Sequence, residues 1–213
     1  MFPETVETER LRLERLGPDS VGVHEFYEVM SSVEMDEVTR HHTQTRHETP
    51  KESADYLSEK AEQWRNGDAA QYVVRPREGE DGAGEFAGVT GLQFQWDRRT
   101  AIMGLWLRPQ FWGRGYSGER AAALLHVAFE QLDLELASPA HTPENEQSKR
   151  AIEKYVERFG GRYEGVLRNW VPAEMTTTGE VWDLHRYTIS QEEWRAAVDD
   201  ESVETPEVRV GDA

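Results

Sequence analysis

The chain has 213 residues and no cysteine, and its 24 Lys plus Arg stand against 41 Asp plus Glu, a formal net charge of −17. Disulfide frameworks, thiolate metal sites and cysteine nucleophiles are thereby excluded, and bare duplex nucleic acid would be repelled. No run of 18 apolar residues offers a membrane span and residues 1–10 carry no basic, apolar leader, so a cytoplasmic protein without a membrane partner is expected.

Only four of the cations are lysines (Lys51, Lys60, Lys149, Lys154). An acidic, lysine-poor surface suits concentrated salt, a halophilic setting in which charge repulsion is screened over about 3 Å at 1 M. Seven each of Trp, Tyr and Phe supply core material, which argues against disorder. One domain over 1–198 is expected, with an acidic, disordered tail over 199–213.

In chain order, Leu11 and Leu13 mark a strand over 9–16, and Val23, Phe26, Tyr27 and Met30 a helix over 20–30. Residues 33–48 read as a polar, solvated loop. Its His41, His42 and His47 fit no standard ligand spacing, so no metal is expected. Thr49-Pro50-Lys51-Glu52 is a helix start, and Asn66-Gly67 stops that helix. Strands follow over 71–75, 85–96 and 100–107, with a Gly- and acid-rich loop over 76–84. Ala121, Leu124, Leu125, Ala128, Phe129 and Leu132 stripe the clearest helix. A strand over 134–140 contains Pro139, which cannot donate to a ladder and implies an edge or a splay. A helix over 145–159, an antiparallel pair over 162–171 and 181–189, and a short helix carrying Trp194 complete the order. That order is neither strictly alternating nor segregated, which implies an α/β fold of the mixed α+β type around one sheet.

The informative segment is Leu107-Arg108-Pro109-Gln110-Phe111-Trp112-Gly113-Arg114-Gly115-Tyr116, between a strand and a helix N-terminus. Unpaired N–H groups at such a turn suit a phosphate, and the two glycines permit positive φ. Residues 98–118 hold four arginines and no acid, a basic window that points to an anionic ligand.

Gln110, Gly113 and Gly115 form a Q-x-x-G-x-G that resembles the acyl-CoA pyrophosphate loop of the GNAT N-acetyltransferases. The RimJ/RimL-like branch is resembled further by Gly104-Leu105-Trp106-Leu107, Gly115-Tyr116-Ser117-Gly118-Glu119 and Asn145-Glu146-Gln147-Ser148. Gly161, Gly165 and Arg168 match its G-x-x-x-G-x-x-R ending, and Asp183, Tyr187 and Trp194 its C-terminal strand and closing helix. The resemblance covers about residues 7–196. It implies a mostly antiparallel sheet splayed between strands 100–107 and 134–140, with helices on both faces and the pantetheine arm in the gap.

The same resemblance implies acetyl-CoA as co-substrate, held by Leu107, Gln110, Trp112, Gly113, Arg114, Gly115, Tyr116, Ser117, Asn145 and Ser148, with Lys149 or Arg150 near the nucleotide phosphates. A neutral amine would attack the thioester directly. Where many relatives place a tyrosine acid this chain has Ile152, and Ser148 becomes the candidate donor to the thiolate. Some relatives place a Glu base where this chain has Ile102, which leaves water relayed to Glu85, Asp97, His141 or Asp183. Glu119 is expected to stabilise the helix dipole. Asp183 is a candidate for the acceptor ammonium or for an ion pair with Arg168. Trp96, Trp106, Trp112 and Trp170 are core or pocket residues, with Trp96, Asp183 and Arg168 the substrate-side candidates. The acceptor would be a basic protein N-terminus or a small amine, and both a monomer and a homodimer stay open. A non-catalytic acyl-CoA-binding module is the alternative.

Overall fold

In the computed structural model, which describes residues 1–203 and 206–211, the strands form one nine-stranded sheet in the order β7-β8-β6-β5-β4-β3-β2-β1-β9. The strands are β1 (Thr5–Glu7), β2 (Leu11–Arg15), β3 (Ala69–Pro76), β4 (Gly88–Gln95), β5 (Thr100–Leu107), β6 (Leu136–His141), β7 (Arg162–Val171), β8 (Trp182–Ser190) and β9 (Arg209–Val210). Every neighbouring pair is antiparallel except β5 and β6. A parallel pair needs a crossover, and α4 (Tyr116–His126) with a π-helical last turn (Val127–Gln131) supplies it.

β5 and β6 pair over a short stretch, from Thr100 with Leu136 to Met103 with Pro139. Beyond it β5 stays with β4 as far as Leu107, while β6 stays with β8 as far as His141. The two strands part where Pro139 offers no N–H to the ladder. The expected splay is therefore present, and the strand expected over 134–140 begins and ends slightly later.

Helices cover both faces. α1 (Val23–Met30), α2 (Met35–Thr39) and α3 (Pro50–Asn66) bury Phe26, Met30, Met35 and Leu57 against Val73, Val89 and Trp106. On the other face α4, α5 (Glu146–Arg158) and α6 (Gln191–Val198) bury Leu124, Phe129, Ile152, Tyr155 and Trp194 against Leu92, Met103 and Ile189. α3 begins as its sequence dictates: Thr49 accepts from the Glu52 N–H, Pro50 opens the first turn, and Gly67 ends the helix at φ 79°.

Three expectations are corrected. Residues 33–48 are not wholly a solvated loop: α2 occupies Met35–Thr39, with Met35 and Val38 buried, and the rest is irregular. The apolar residues of the stretch are too few to show a period, so the helix leaves no pattern in the sequence. The tail is not wholly irregular, since Arg209 and Val210 pair with Glu7 and Val6 of β1 and close that sheet edge. Residues 204–205 and 212–213 of the tail lie outside the described residues. Trp96 and Trp170 are 43% and 53% exposed and are not core, whereas Trp106 is buried.

Candidate active site

The segment after β5 makes a single 3-10 turn, Pro109–Phe111, and then passes through Gly113 at φ 74° and Gly115 at φ 81° into α4. Gly115 is the N-cap. A Cβ at Gly113 would meet no atom within 4 Å, so glycine is required there by backbone conformation and not by space. The Trp112 indole donates to the Leu107 carbonyl at 2.7 Å and folds the turn back onto the strand end. Among the described residues, the N–H groups of Gly113, Arg114, Gly115, Tyr116 and Ser117 donate to no protein acceptor. Five free donors at a helix N-terminus form an anion cradle.

The basic window is corrected by the structure. Arg99 pairs with Asp133 at 2.8 Å, Arg108 with Glu34 at 2.6 Å and Arg114 with Asp81 at 3.1 Å. Gln110 donates to Glu85 at 2.9 Å, and the Tyr116 hydroxyl to Glu80 at 2.6 Å. Three of the four arginines are matched by acids distant in sequence, and the fourth, Arg98, lies in the β4–β5 turn at the far end of β5, so the attraction for an anion comes from the backbone donors and the helix dipole.

Glu119 does more than stabilise a dipole. It is 7% exposed, takes the Thr8 hydroxyl at 2.6 Å and the Arg10 N–H at 2.8 Å, and pairs with the Arg10 guanidinium at 2.7 Å. Arg10 also donates to the Arg114 carbonyl at 2.9 Å. The β1–β2 turn thus grips the loop from behind, a link that no local pattern announces.

Across the splay, Asn145 caps α5 by accepting the Ser148 N–H at 2.9 Å through its side-chain oxygen, which leaves the amide Nδ2 as a donor. The Ser148 hydroxyl is half-buried and has no protein partner among the described residues. Ile152 is buried core and Ile102 is half-buried in β5.

His141 ends β6, 4% exposed, with Nδ1 2.8 Å from the Thr142 carbonyl and Nε2 3.3 Å from the Tyr187 hydroxyl. Its ring stacks on His185 at 4.9 Å. Burial, and then the neighbouring His185, hold its pKa below the ordinary imidazole value.

Beyond Asn145 opens a cavity of about 470 Å³, lined by Arg40, His41, Glu144, Glu180, Trp182 and Asp183 among others. Carboxylates outnumber guanidinium there, and the His41 pKa is lowered chiefly by burial, then by Arg40, against Glu144. The Asp183 carboxylate accepts the Asn169 N–H at 2.7 Å, and Arg168 is exposed with no ion pair to it among the described residues. Trp96 does not belong here. It sits in the β4–β5 turn beside Asp97, its indole on the Gly67 carbonyl at 2.7 Å, at the end of β5 opposite the loop. Eight residues of β5 put about 23 Å between the two ends. Among the described residues no cluster of His, Asp and Glu could hold a metal, and no helix is long and apolar enough to cross a membrane.

The acetyltransferase (GNAT) domain family matches residues 10–155. A 95-residue stretch is 32% identical to the uncharacterized N-acetyltransferase YnaD of Bacillus subtilis (strain 168), covering 45% of this chain. That match spans about half (51%) of the relative's length. In fold, the chain is similar to a GCN5-related N-acetyltransferase from Brucella melitensis (TM-score 0.73, 19% identity, 96% of this chain and 94% of that one). It is also similar to the ribosomal-protein-S5-alanine acetyltransferase from Vibrio fischeri (TM-score 0.70, 15% identity, 89% and 98% covered). With the family matched over most of the domain, and a splayed sheet that opens onto a free glycine loop at a helix start, the chain belongs to the GNAT acetyltransferase family.

Proposed function

We propose that the chain is an acetyl-CoA-dependent N-acetyltransferase of the RimJ/RimL-like branch, in which a neutral primary amine attacks the acetyl thioester directly. The observation that carries this reading is the row of free N–H groups at 113–117, set where β5 and β6 part. Those groups hold the pyrophosphate, with Leu107, Gln110, Trp112 and Tyr116 shaping the turn. The edge of β5 beyond Met103 is left without a strand partner and pairs with the pantetheine amides, as an added strand would. Asn145 Nδ2 donates to the pantetheine. The Ser148 hydroxyl protonates the departing thiolate, and a β5 N–H polarises the thioester carbonyl.

Of the groups able to take the ammonium proton through water, Glu85 sits against Gln110 and Arg108 away from the cavity lining, and Asp97 lies at the far end of β5. Asp183 lines the cavity, and His141 stands buried behind its Thr142 wall. The carboxylate-rich lining favours a cationic acceptor, a basic protein N-terminus or a small polyamine. A non-catalytic acyl-CoA-binding module is favoured by one observation, the burial of Ile152 where an acid would stand.

Calorimetry with acetyl-CoA in molar KCl tests the reading. Wild type is expected to bind at micromolar strength. Gly113→Asp, which sets a carboxylate among the free N–H groups, is expected to lose binding. Ser148→Ala should lower kcat by about 10²-fold on the accepted amine. Binding without turnover on any basic peptide or polyamine establishes the non-catalytic module instead, and no binding by folded wild type ends both readings.

A further inference from the structure

Arg120 stands apart from the other arginines of the site. Arg10, Arg99, Arg108 and Arg114 each meet a carboxylate. Arg120 is 3% exposed, and its Nε and Nη1 have no hydrogen-bond partner among the described residues. Its guanidinium carbon lies 5.5 Å from the centre of the Tyr155 ring, and the buried Tyr155 hydroxyl is a neutral polar neighbour that falls short of full hydrogen-bond geometry. A guanidinium keeps its charge at any physiological pH. Burying one without a counter-charge costs several kcal/mol, far more than a ring face returns. The fold therefore carries a cation that lacks its anion.

The position of Arg120 points to where that anion belongs. It is the fifth residue of α4, about 6 Å along the axis from Tyr116. Helical side chains lean toward the N-terminus, a direction that would carry the guanidinium toward the level of the first turn. That turn begins with the free N–H groups of 113–117. Tyr155 approaches from α5, so the pair lies in the seam between the two helices that flank the splay.

We propose that Arg120 receives the pyrophosphate of acyl-CoA from inside the α4–α5 seam, as the buried counter-cation to an anion held in front by the backbone. The inference rests on the acyl-CoA reading given above. It makes Arg120 a ligand-binding residue whose charge destabilises the empty protein and stabilises the loaded one. Arg120→Met and wild type are therefore expected to change order when ligand is added, because Met fills the same volume without the charge.

The test compares thermal midpoints and calorimetry for wild type, Arg120→Met and Arg120→Lys in molar KCl, with acetyl-CoA and with S-acetylpantetheine, which has the thioester arm but no phosphate. Arg120→Met should melt at or above the wild-type midpoint when empty. It should bind acetyl-CoA about tenfold or more weakly, as loss of a charge-assisted contact implies. Any binding of S-acetylpantetheine should not change, and Arg120→Lys should recover part of the acetyl-CoA affinity. The proposal is overturned if Arg120→Met binds acetyl-CoA as wild type does, or if it weakens both ligands by the same factor, which is a packing effect. If Arg120→Met does not fold, undiminished acetyl-CoA affinity combined with lost stability in Arg120→Lys overturns it equally. Wild type that binds no acetyl-CoA removes the acyl-CoA reading itself, whereas intact wild-type binding with an unaffected variant removes only the role of Arg120.

Discussion

Glu119 ties the candidate loop to a part of the chain more than a hundred residues away, and its carboxylate accepts from Thr8 and Arg10 while almost wholly buried. Replacing it by Gln keeps one acceptor oxygen for Thr8 and the Arg10 N–H but sets a neutral NH2 against the Arg10 guanidinium, which loses its counter-charge. Arg10 is 35% exposed and partly screened, which moderates that cost. Glu119→Gln is accordingly expected to lower the unfolding free energy by about 1–3 kcal/mol in urea melts. Arg10→Ala should cost a similar amount, and the double variant less than the sum, because the two share one network. Additive losses would mean that the carboxylate and the guanidinium act separately. Because Arg10 also holds the Arg114 carbonyl, Glu119→Gln should weaken acetyl-CoA binding without any change in the loop itself.

At the scale of elements, what could be read from the sequence divides by the distance over which each signal acts. The α3 start, the Gly67 stop, the glycine turn before α4 and the Pro139 splay are written in adjacent residues, and each stands where the residues place it. The pairing of Arg108 with Glu34, the grip of Arg10 on Glu119 and the cavity walls join segments that only the folded sheet brings together. Charge counting within residues 98–118 cannot see that three of its four arginines are matched from outside the window. Trp96 stands away from the glycine loop for a related reason: an antiparallel hairpin carries it to the opposite end of β5.

The connection from α2 to α3 yields a prediction of its own. Burial, and then the adjacent His41, push the His42 pKa down to about 4, and His47 is lowered chiefly by burial, while bonded to Ser53. A group whose folded pKa lies below its unfolded value binds more protons when unfolded, so stability rises with pH across that interval. Unfolding free energy should fall as pH drops from about 6.5 toward 4, by up to about 1.4 kcal/mol per pH unit for His42, with His47 acting in the same direction. His42→Asn should flatten that slope, and an unchanged slope would assign the acid sensitivity to groups outside this connection.

For the molecule as a whole, the decisive quantity is the excess of 17 negative charges on a surface whose cations are largely paired. Two unit charges 10 Å apart in water repel by about 0.4 kcal/mol before screening, and a surplus of this size generates many such pairs. Salt acts on two terms of opposite sign. It weakens exposed ion pairs, each worth about 0–1 kcal/mol, and it removes repulsion among the unmatched carboxylates. The second should win, because repulsion grows with the number of pairs among the surplus charges while the ion pairs contribute one by one. The thermal midpoint is expected to climb between 0.1 and 1 M KCl, as the screening length shrinks from about 10 Å to about 3 Å. It should then level off once that length is shorter than the spacing between neighbouring carboxylates. A climb that continues in proportion to concentration up to several molar would identify salt exclusion from apolar surface as the cause. A fall over the first interval would mean that the arginine–carboxylate pairs outweigh the surplus and that the acidic surface serves something other than stability in salt.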